Sequence, residues 1–269
     1  MKIITAVVNN PIFIEIQYHT FKKYMTTPYE FIVFNDAKSL PDITNGNDIT
    51  IKEKIEETCK KLDIKCINIP NIHHRRWNMS TRHADTFNNH ILKYQINNPD
   101  KYLLIDSDMF LIDFFDSSKY DNFDCALVFQ SREININNTI KYFWPGLCYL
   151  DFNKIKNVEL LNWDLSPGCD TGGMMQFWLR MQMHKDQKSI FSINHLSSCN
   201  WTIENIPENI KNNTKLIKFL NKDPRNENGK YYAEIYDNIF FHYRAGGNWK
   251  MEGMDFHNKL SLKLQKCLL

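Results

Sequence analysis

The chain reads as an α/β protein built on a central sheet flanked by helices, and three observations predict this. Short apolar runs of β-strand length alternate with longer stretches of helical periodicity through the first hundred residues. One run, Tyr102-Leu103-Leu104-Ile105, is apolar at every position, as expected of a strand buried on both faces. Turn-forming Asn, Asp and Pro residues punctuate the boundaries between these segments.

The elements follow in order. Lys2 to Asn9 forms the first strand, and Pro11 opens a helix whose apolar positions Ile12, Ile16, Phe21 and Tyr24 keep roughly helical spacing. Tyr29 to Phe34 is a second strand ending at Asn35-Asp36. A polar loop leads to a helix from about Ile49 to Leu62, and Ile64 to Ile69 makes a third strand closed by Pro70. Ser80 is placed to cap the next helix, in which Ala84, Phe87, Ile91 and Tyr94 share a face. Asn98-Pro99-Asp100 stops that helix before the strand Tyr102 to Ile105. Beyond it the alternation weakens. Cys125–Phe129 and Leu147–Phe152 have strand character, Met174–His184 helical character, and Ile239–Tyr243 reads as a late strand. A division near residue 115 gives a ligand-binding half, 1–115, and a second half, 116–269, sharing one continuous sheet.

Composition narrows the function classes. With 43% hydrophobic and 24% charged residues the chain has the make-up of an ordinary folded domain, and 269 residues bury roughly 75% of the unfolded surface. The net charge of +2 lacks the positive field of a dedicated nucleic-acid binder. The seven cysteines show no C-x-x-C pair and read as reduced thiols. No run reaches the ~18 apolar residues of a membrane span, and Asn9-Asn10-Pro11 interrupts the only candidate for a signal-peptide core. A soluble, cytoplasmic protein is expected. Heavy use of Asn, Ile and Lys points to an AT-rich genome, so that for a virus-encoded chain the compartment is the host cytoplasm.

Two segments carry chemistry. Asp106 and Asp108 follow the apolar strand with i, i+2 spacing, which projects both carboxylates into one cleft at the carboxyl end of a central strand. Such a pair suits a hard divalent cation that bridges to phosphate oxygens, although D-x-D is also a common turn at strand ends. The second segment is Phe240-Phe241-His242-Tyr243-Arg244-Ala245-Gly246-Gly247-Asn248-Trp249-Lys250. It offers an imidazole ligand in His242, backbone amides at Gly246 and Gly247, and two cations in Arg244 and Lys250, a set that fits a diphosphate.

On these residues the chain resembles the GT-A glycosyltransferases. Asp106-Ser107-Asp108 is similar to their metal motif. His242 to Trp249 is similar to the H-x-x-G-x-x-K-P-W motif of glycogenin and the bacterial lipopolysaccharide galactosyltransferases, with Asn248 where proline stands and Lys250 after the tryptophan. The resemblance implies a GT-A type, Rossmann-like central mixed sheet flanked by helices. It further implies a manganese or magnesium ion held by Asp106, Asp108 and His242, with Asp106 also touching the ribose. The donor is a nucleotide sugar, UDP-linked by the same resemblance, and the acceptor a glycan, glycoprotein or small-molecule hydroxyl. The base falls to Val8, Asn9 and Asp36 at the ends of the first two strands, and Arg82, His83, Asp85 and Asn89 on the following helix are available to the donor.

Cys169-Asp170-Thr171-Gly172-Gly173 places a carboxylate before a helix, where small residues admit a sugar closely. Asp170 is the candidate base for an inverting enzyme or a donor-sugar contact in a retaining one, against a reading as a helix cap. Trp144, Trp163 and Trp201 offer rings for sugar faces, though most such residues serve the core, and the loop His73-His74-Arg75-Arg76 offers cations. Two other classes compete. A haloacid-dehalogenase-like phosphohydrolase also places D-x-D after an apolar strand, and a non-catalytic nucleotide-sugar or carbohydrate-binding protein needs the same pocket.

Overall fold

A computed structural model describes residues 1–70, 78–135 and 138–269, leaving aside the side chains of Ile134, Asn138, Lys250 and Met251. In chain order the elements are β1 (Lys2–Val7), α1 (Pro11–Tyr24), β2 (Glu30–Asn35), α2 (Ile51–Lys61), β3 (Lys65–Asn68), α3 (Met79–Thr86), α4 (Leu92–Asn97), β4 (Lys101–Ile105), β5 (Met109–Leu111), β6 (Cys125–Asn135) and β7 (Asn138–Asp151). There follow α5 (Gln176–Asp186), β8 (Ile190–Ser192), β9 (His195–Leu196), α6 (Glu208–Lys211), α7 (Thr214–Asn221), β10 (Glu234–Tyr236), β11 (Phe240–His242), α8 (Trp249–Glu252) and α9 (Met254–Leu268).

Seven strands form the main sheet in the order β3-β2-β1-β4-β7-β6-β8. β3, β2, β1 and β4 are mutually parallel, whereas β7 runs antiparallel to both β4 and β6. The sheet is thus mixed, and β6 and β7 carry it across residue 115 without a break. A smaller sheet, β5-β11-β10-β9, is antiparallel throughout.

Local chemistry explains the elements nearest the cleft. Asn10 caps α1 by accepting from the Ile12 amide, Pro11 stands at its first position, and Lys22 and Lys23 complement its carboxyl end. Asn78, not Ser80, caps α3, its side chain accepting from the Thr81 amide. Ser80 lies two residues too late, and asparagine fills the cap as well as serine does. A π turn over Phe87–Ile91 joins α3 to α4. Alternation along the parallel strands fills two layers. Ile3, Val33 and Leu103 pack with Ile14 and Phe21 of α1 and Ile55 of α2, while Ile4, Ile32 and Leu104 pack with Phe87, Ile91 and Trp178 on the opposite face. A third apolar cluster joins Phe13 of α1, Phe110 of β5, Phe241 of β11 and Leu260 and Leu264 of α9. This cluster sets the small sheet against the end of α1, and so brings the two chemical segments together.

Candidate active site

The parallel strands end at a cleft of about 620 Å³. Asp106 leaves β4 at its floor, its amide donating to the Gly146 carbonyl at 2.8 Å. The turn is held from beneath by Gln17 of α1, whose buried amide donates to the carbonyls of Asp106 (2.8 Å) and Met109 (3.1 Å). Immediately after the turn β5 pairs with β11, Met109 standing opposite His242. The two distant segments are therefore joined by strand pairing.

Asp106, Asp108 and His242 each present one ligand atom within 4.8 Å of the others. His242 Nε2 lies 3.2 Å from Asp108 Oδ1 and 3.9 Å from Asp106 Oδ2. The other ring nitrogen, Nδ1, lies 2.9 Å from Oε2 of Glu234, directly across the β10–β11 pair. Trp144 packs over the imidazole at 5.3 Å between ring centroids.

Electrostatics reflect this crowding. Burial lowers the His242 pKa, but Asp108 and Glu234 outweigh it and raise the imidazole to about 10. Burial opposes ionisation of Glu234, yet its hydrogen bonds from His242 and Tyr236 hold it at about 2. Burial, with the like charge of Asp108, raises Asp106 to about 6 despite His83. Asp108 stays below the usual carboxylate range because His242 and the Gly246 amide overcome its burial. The pocket thus concentrates negative charge around one imidazole, which holds a proton where a cation fits.

On one side of this cluster the cleft is lined by Ala6 of β1, Val8 just beyond it, Asp36 just after β2, Thr44, Gly247 and Asn248. Asp36 accepts from Thr86 Oγ1 at 2.9 Å and pairs with the fully buried Lys38 at 3.4 Å. Arg82 and His83, midway along α3, also face the cleft. Arg82 is 3% exposed and pairs with Asp42 at 3.0 Å, while its Nε and Nη2 make no hydrogen bond among the described residues. His83 stands 3.9 Å from Asp106. Asp85 and Asn89 are not among the described residues lining the cleft. α3 starts at the cleft and runs away from it, and Asn89, seven residues beyond Arg82, sits about 10 Å further down the axis on the exposed surface.

Asn9 is buried behind the wall, its amide donating to the Thr44 carbonyl and, at 2.9 Å, to that of Gly247. It shapes the pocket by fastening the loop after β11. The two glycines of that loop differ. The Gly246 amide donates to Asp108 Oδ2 at 2.7 Å, so it serves the carboxylate and is not offered to a diphosphate, while Gly247 lines the cleft. Arg244 and Ala245 before them adopt left-handed backbone at φ 65° and 56°, a conformation that costs non-glycine residues and turns the chain back over Asp108. Arg244 lines the cleft, its Nη1 donating to Ser198 Oγ at 3.2 Å. The Lys250 side chain and His73 to Arg76 lie outside the described residues.

The far side of the cleft is built by β6 and β7, with Phe129, Gln130, Arg132 and Trp144, and by Asp170, Thr171, His195 and Tyr236. Trp144, Tyr236 and His195 form a run of rings with centroids 5.8 and 5.1 Å apart. Asp170 is exposed, accepts from the Thr171 amide at 2.7 Å, and does not cap α5, whose cap residue is Met175. Gly172 and Gly173 serve packing and do not admit a ligand. A Cβ on them would lie 2.5 Å from the Phe143 carbonyl oxygen and 2.6 Å from the Ser166 nitrogen. Trp163 and Trp201 are fully buried core. Sequence reading missed Glu234 and Gln17. Glu234 stands in a short strand with no motif, and Gln17 resembles any polar helix position.

No protein-family profile matches the chain, and no curated protein does. Among solved structures, the chain is similar to the galactosyltransferase LgtC in complex with donor and acceptor sugar analogues, and to an active-site mutant of LgtC. Each match has 13% identity over 72% of this chain and 73% of LgtC, with a TM-score of 0.42. The likeness is distant, and the chemistry of the cleft stands on its own geometry. Among the described residues no helix is long and apolar enough to cross a membrane.

Proposed function

We propose that the protein is a GT-A type glycosyltransferase that uses a divalent cation and a nucleotide sugar, UDP-linked, to glycosylate a hydroxyl acceptor. The observation that carries this reading is the convergence of Asp106, Asp108 and His242 at the carboxyl end of a parallel strand, their ligand atoms within 4.8 Å of one another. Two carboxylates and one imidazole suit manganese or magnesium, and the surplus negative charge that keeps His242 protonated is what a cation would neutralise. When bound, the cation supplies electrostatic stabilisation to charge developing on the leaving diphosphate.

The chain's own groups fill the remaining roles. Val8, Asp36 and Gly247 border the nucleoside, with Asn9 holding their loop in place. Arg244 and Arg82 bring positive charge to the donor side, and His83 stands beside Asp106. Trp144, Tyr236 and His195 give an aromatic wall against which the apolar face of an acceptor sugar stacks. Asp170 reaches the cleft with an exposed carboxylate, which takes the acceptor hydroxyl proton if the reaction inverts or contacts the donor sugar if it retains.

The test is release of nucleoside diphosphate from a panel of nucleotide sugars with manganese, with and without chelator. UDP release that disappears in Asp108→Ala supports the reading. Hydrolysis of simple phosphate esters without a nucleotide overturns it in favour of a phosphohydrolase. Thermal stabilisation by UDP without turnover overturns it in favour of a binding protein.

A further inference from the structure

We propose that Glu234 is a positioning residue that fixes the tautomer and ring orientation of His242 so that Nε2 is presented to the cation. The inference rests on the metal-site reading above and adds a residue outside the three-ligand cluster.

Glu234 and His242 are directly opposed across the β10–β11 pair, which places both side chains on one face. Oε2 of Glu234 lies 2.9 Å from His242 Nδ1 and also accepts from the Tyr236 hydroxyl at 2.7 Å. Oε1 accepts from the Ser198 amide at 3.1 Å and stands 3.8 Å from Arg244 Nε. The carboxylate is thus held by several donors on three chain segments, and its side chain is only 13% exposed.

A neutral imidazole carries one N–H. When a cation takes the place of the Nε2 proton, a carboxylate fixed against Nδ1 would keep the remaining hydrogen there and leave the Nε2 lone pair on the side of Asp106 and Asp108. Trp144, packed at 5.3 Å, hinders rotation of the ring away from this pose. The carboxylate is the shared acceptor of the His242 ring, the Tyr236 hydroxyl and the Ser198 amide, which an apolar residue would leave unpaired. Its aim at the far nitrogen of a candidate ligand gives it a purpose.

Manganese binding, read by calorimetry and by the electron-paramagnetic signal of free Mn²⁺, tests this on wild type, Asp108→Ala, Glu234→Gln and Glu234→Ala, with unfolding midpoints taken in parallel. Wild type binds and Asp108→Ala does not. Glu234→Gln, isosteric but uncharged, binds about tenfold more weakly, and Glu234→Ala loses up to about 100-fold. Histidine ¹⁵N spectra of the Mg²⁺-loaded protein show Nδ1 of His242 protonated in wild type and this state lost in the Ala variant. A Gln variant that binds Mn²⁺ as tightly as wild type overturns the inference and leaves the metal site standing, and a lowered unfolding midpoint with unchanged affinity would assign Glu234 to packing alone. Wild type that fails to bind, or Asp108→Ala that binds equally, overturns both readings.

Discussion

The backbone amide of Gly246 donates to Oδ2 of Asp108 at 2.7 Å across 138 positions of sequence. That hydrogen bond requires the loop after β11 to press against α1. A Cβ on Gly246 would stand 2.6 Å from Phe13 Cε2 and 2.9 Å from Tyr243 Cδ1. Gly246→Ala is therefore expected to cost about 1–3 kcal/mol through overpacking, and to weaken Mn²⁺ binding because the displaced loop carries its backbone amide away from Asp108. Gly247→Ala meets Val8 Cγ2 at 3.4 Å and Asn9 Oδ1 at 4.0 Å, both tolerable, and keeps the fold, with its effect confined to a raised KM for the donor. Thermal unfolding and donor saturation curves check the pair, and equal behaviour of the two variants would contradict the division of labour.

Metal affinity should rise with pH. A cation competes with the proton on His242, whose pKa stands near 10 in the metal-free cluster, so each unit of pH below that value gains up to about tenfold in affinity. Titrations in buffers of different ionisation enthalpy should show proton release on binding. A pH-independent affinity would remove His242 from the ligand set.

Stability of the chelated protein follows the same groups with definite signs. His242, raised from its ordinary 6.5 to about 10 because Asp108 and Glu234 outweigh burial, contributes stability that is full below 6.5 and lost as pH climbs through 10. Glu234, lowered from 4.5 to about 2 because His242 and Tyr236 outweigh burial, contributes above 4.5 and is lost toward pH 2. Unfolding midpoints should fall as pH rises from 6.5 to 10, and His242→Gln should flatten that fall. A slope unchanged by the substitution would show that other groups carry it.

Arg82 and Asp42 pair at 3.0 Å with side chains only 4% and 11% exposed, as a charge contact and not an aligned hydrogen bond. Removing one partner strands the other charge, so Arg82→Met and Asp42→Asn are each expected to cost about 3–5 kcal/mol, and the double variant less than their sum. Urea denaturation reads this cycle. Additive losses would mean that the pair does not couple.

Trp201 and Trp144 should separate stability from acceptor recognition. Trp201 is fully buried with Nε1 donating to the Ala233 carbonyl at 2.8 Å, so Trp201→Phe lowers stability by about 1–3 kcal/mol and leaves turnover per folded molecule unchanged. Trp144→Ala leaves the core in place and raises the acceptor KM. Steady-state kinetics alongside unfolding distinguishes them.

The parallel half of the fold was legible because burial on both faces leaves a mark in sequence. Strands β1, β2 and β4 read as apolar runs, and Pro11 announces α1. Strands β5, β8, β9 and β10 hid because each is two or three residues long, too short for a period of two to register. Helix α9 did carry a signal, with Leu260, Leu264 and Leu268 spaced by four and all buried, but no motif drew attention to it. At the site, Asp106, Asp108 and His242 stood out as candidate ligands because carboxylates and imidazoles at strand ends are few, and the structure brings the three together. Glu234 was not, since its partner is fixed by the β10–β11 register. Gly172 and Gly173 were read as openings for a sugar and Gly246 as an amide for a diphosphate, when each fits neighbouring protein atoms closely, a distinction that composition does not contain.

The pairing of β5 with β11 has a consequence for the order of assembly. Asp106 and Asp108 emerge early in synthesis, beside a strand that can already pair with β1, but His242 and the Gly246 amide arrive more than a hundred residues later. Until they do, two neighbouring carboxylates face each other with neither imidazole nor amide to balance them. Closing the small sheet is thus the step that brings an imidazole and an amide to the paired carboxylates, and the three-residue cluster is complete only once most of the chain has been made.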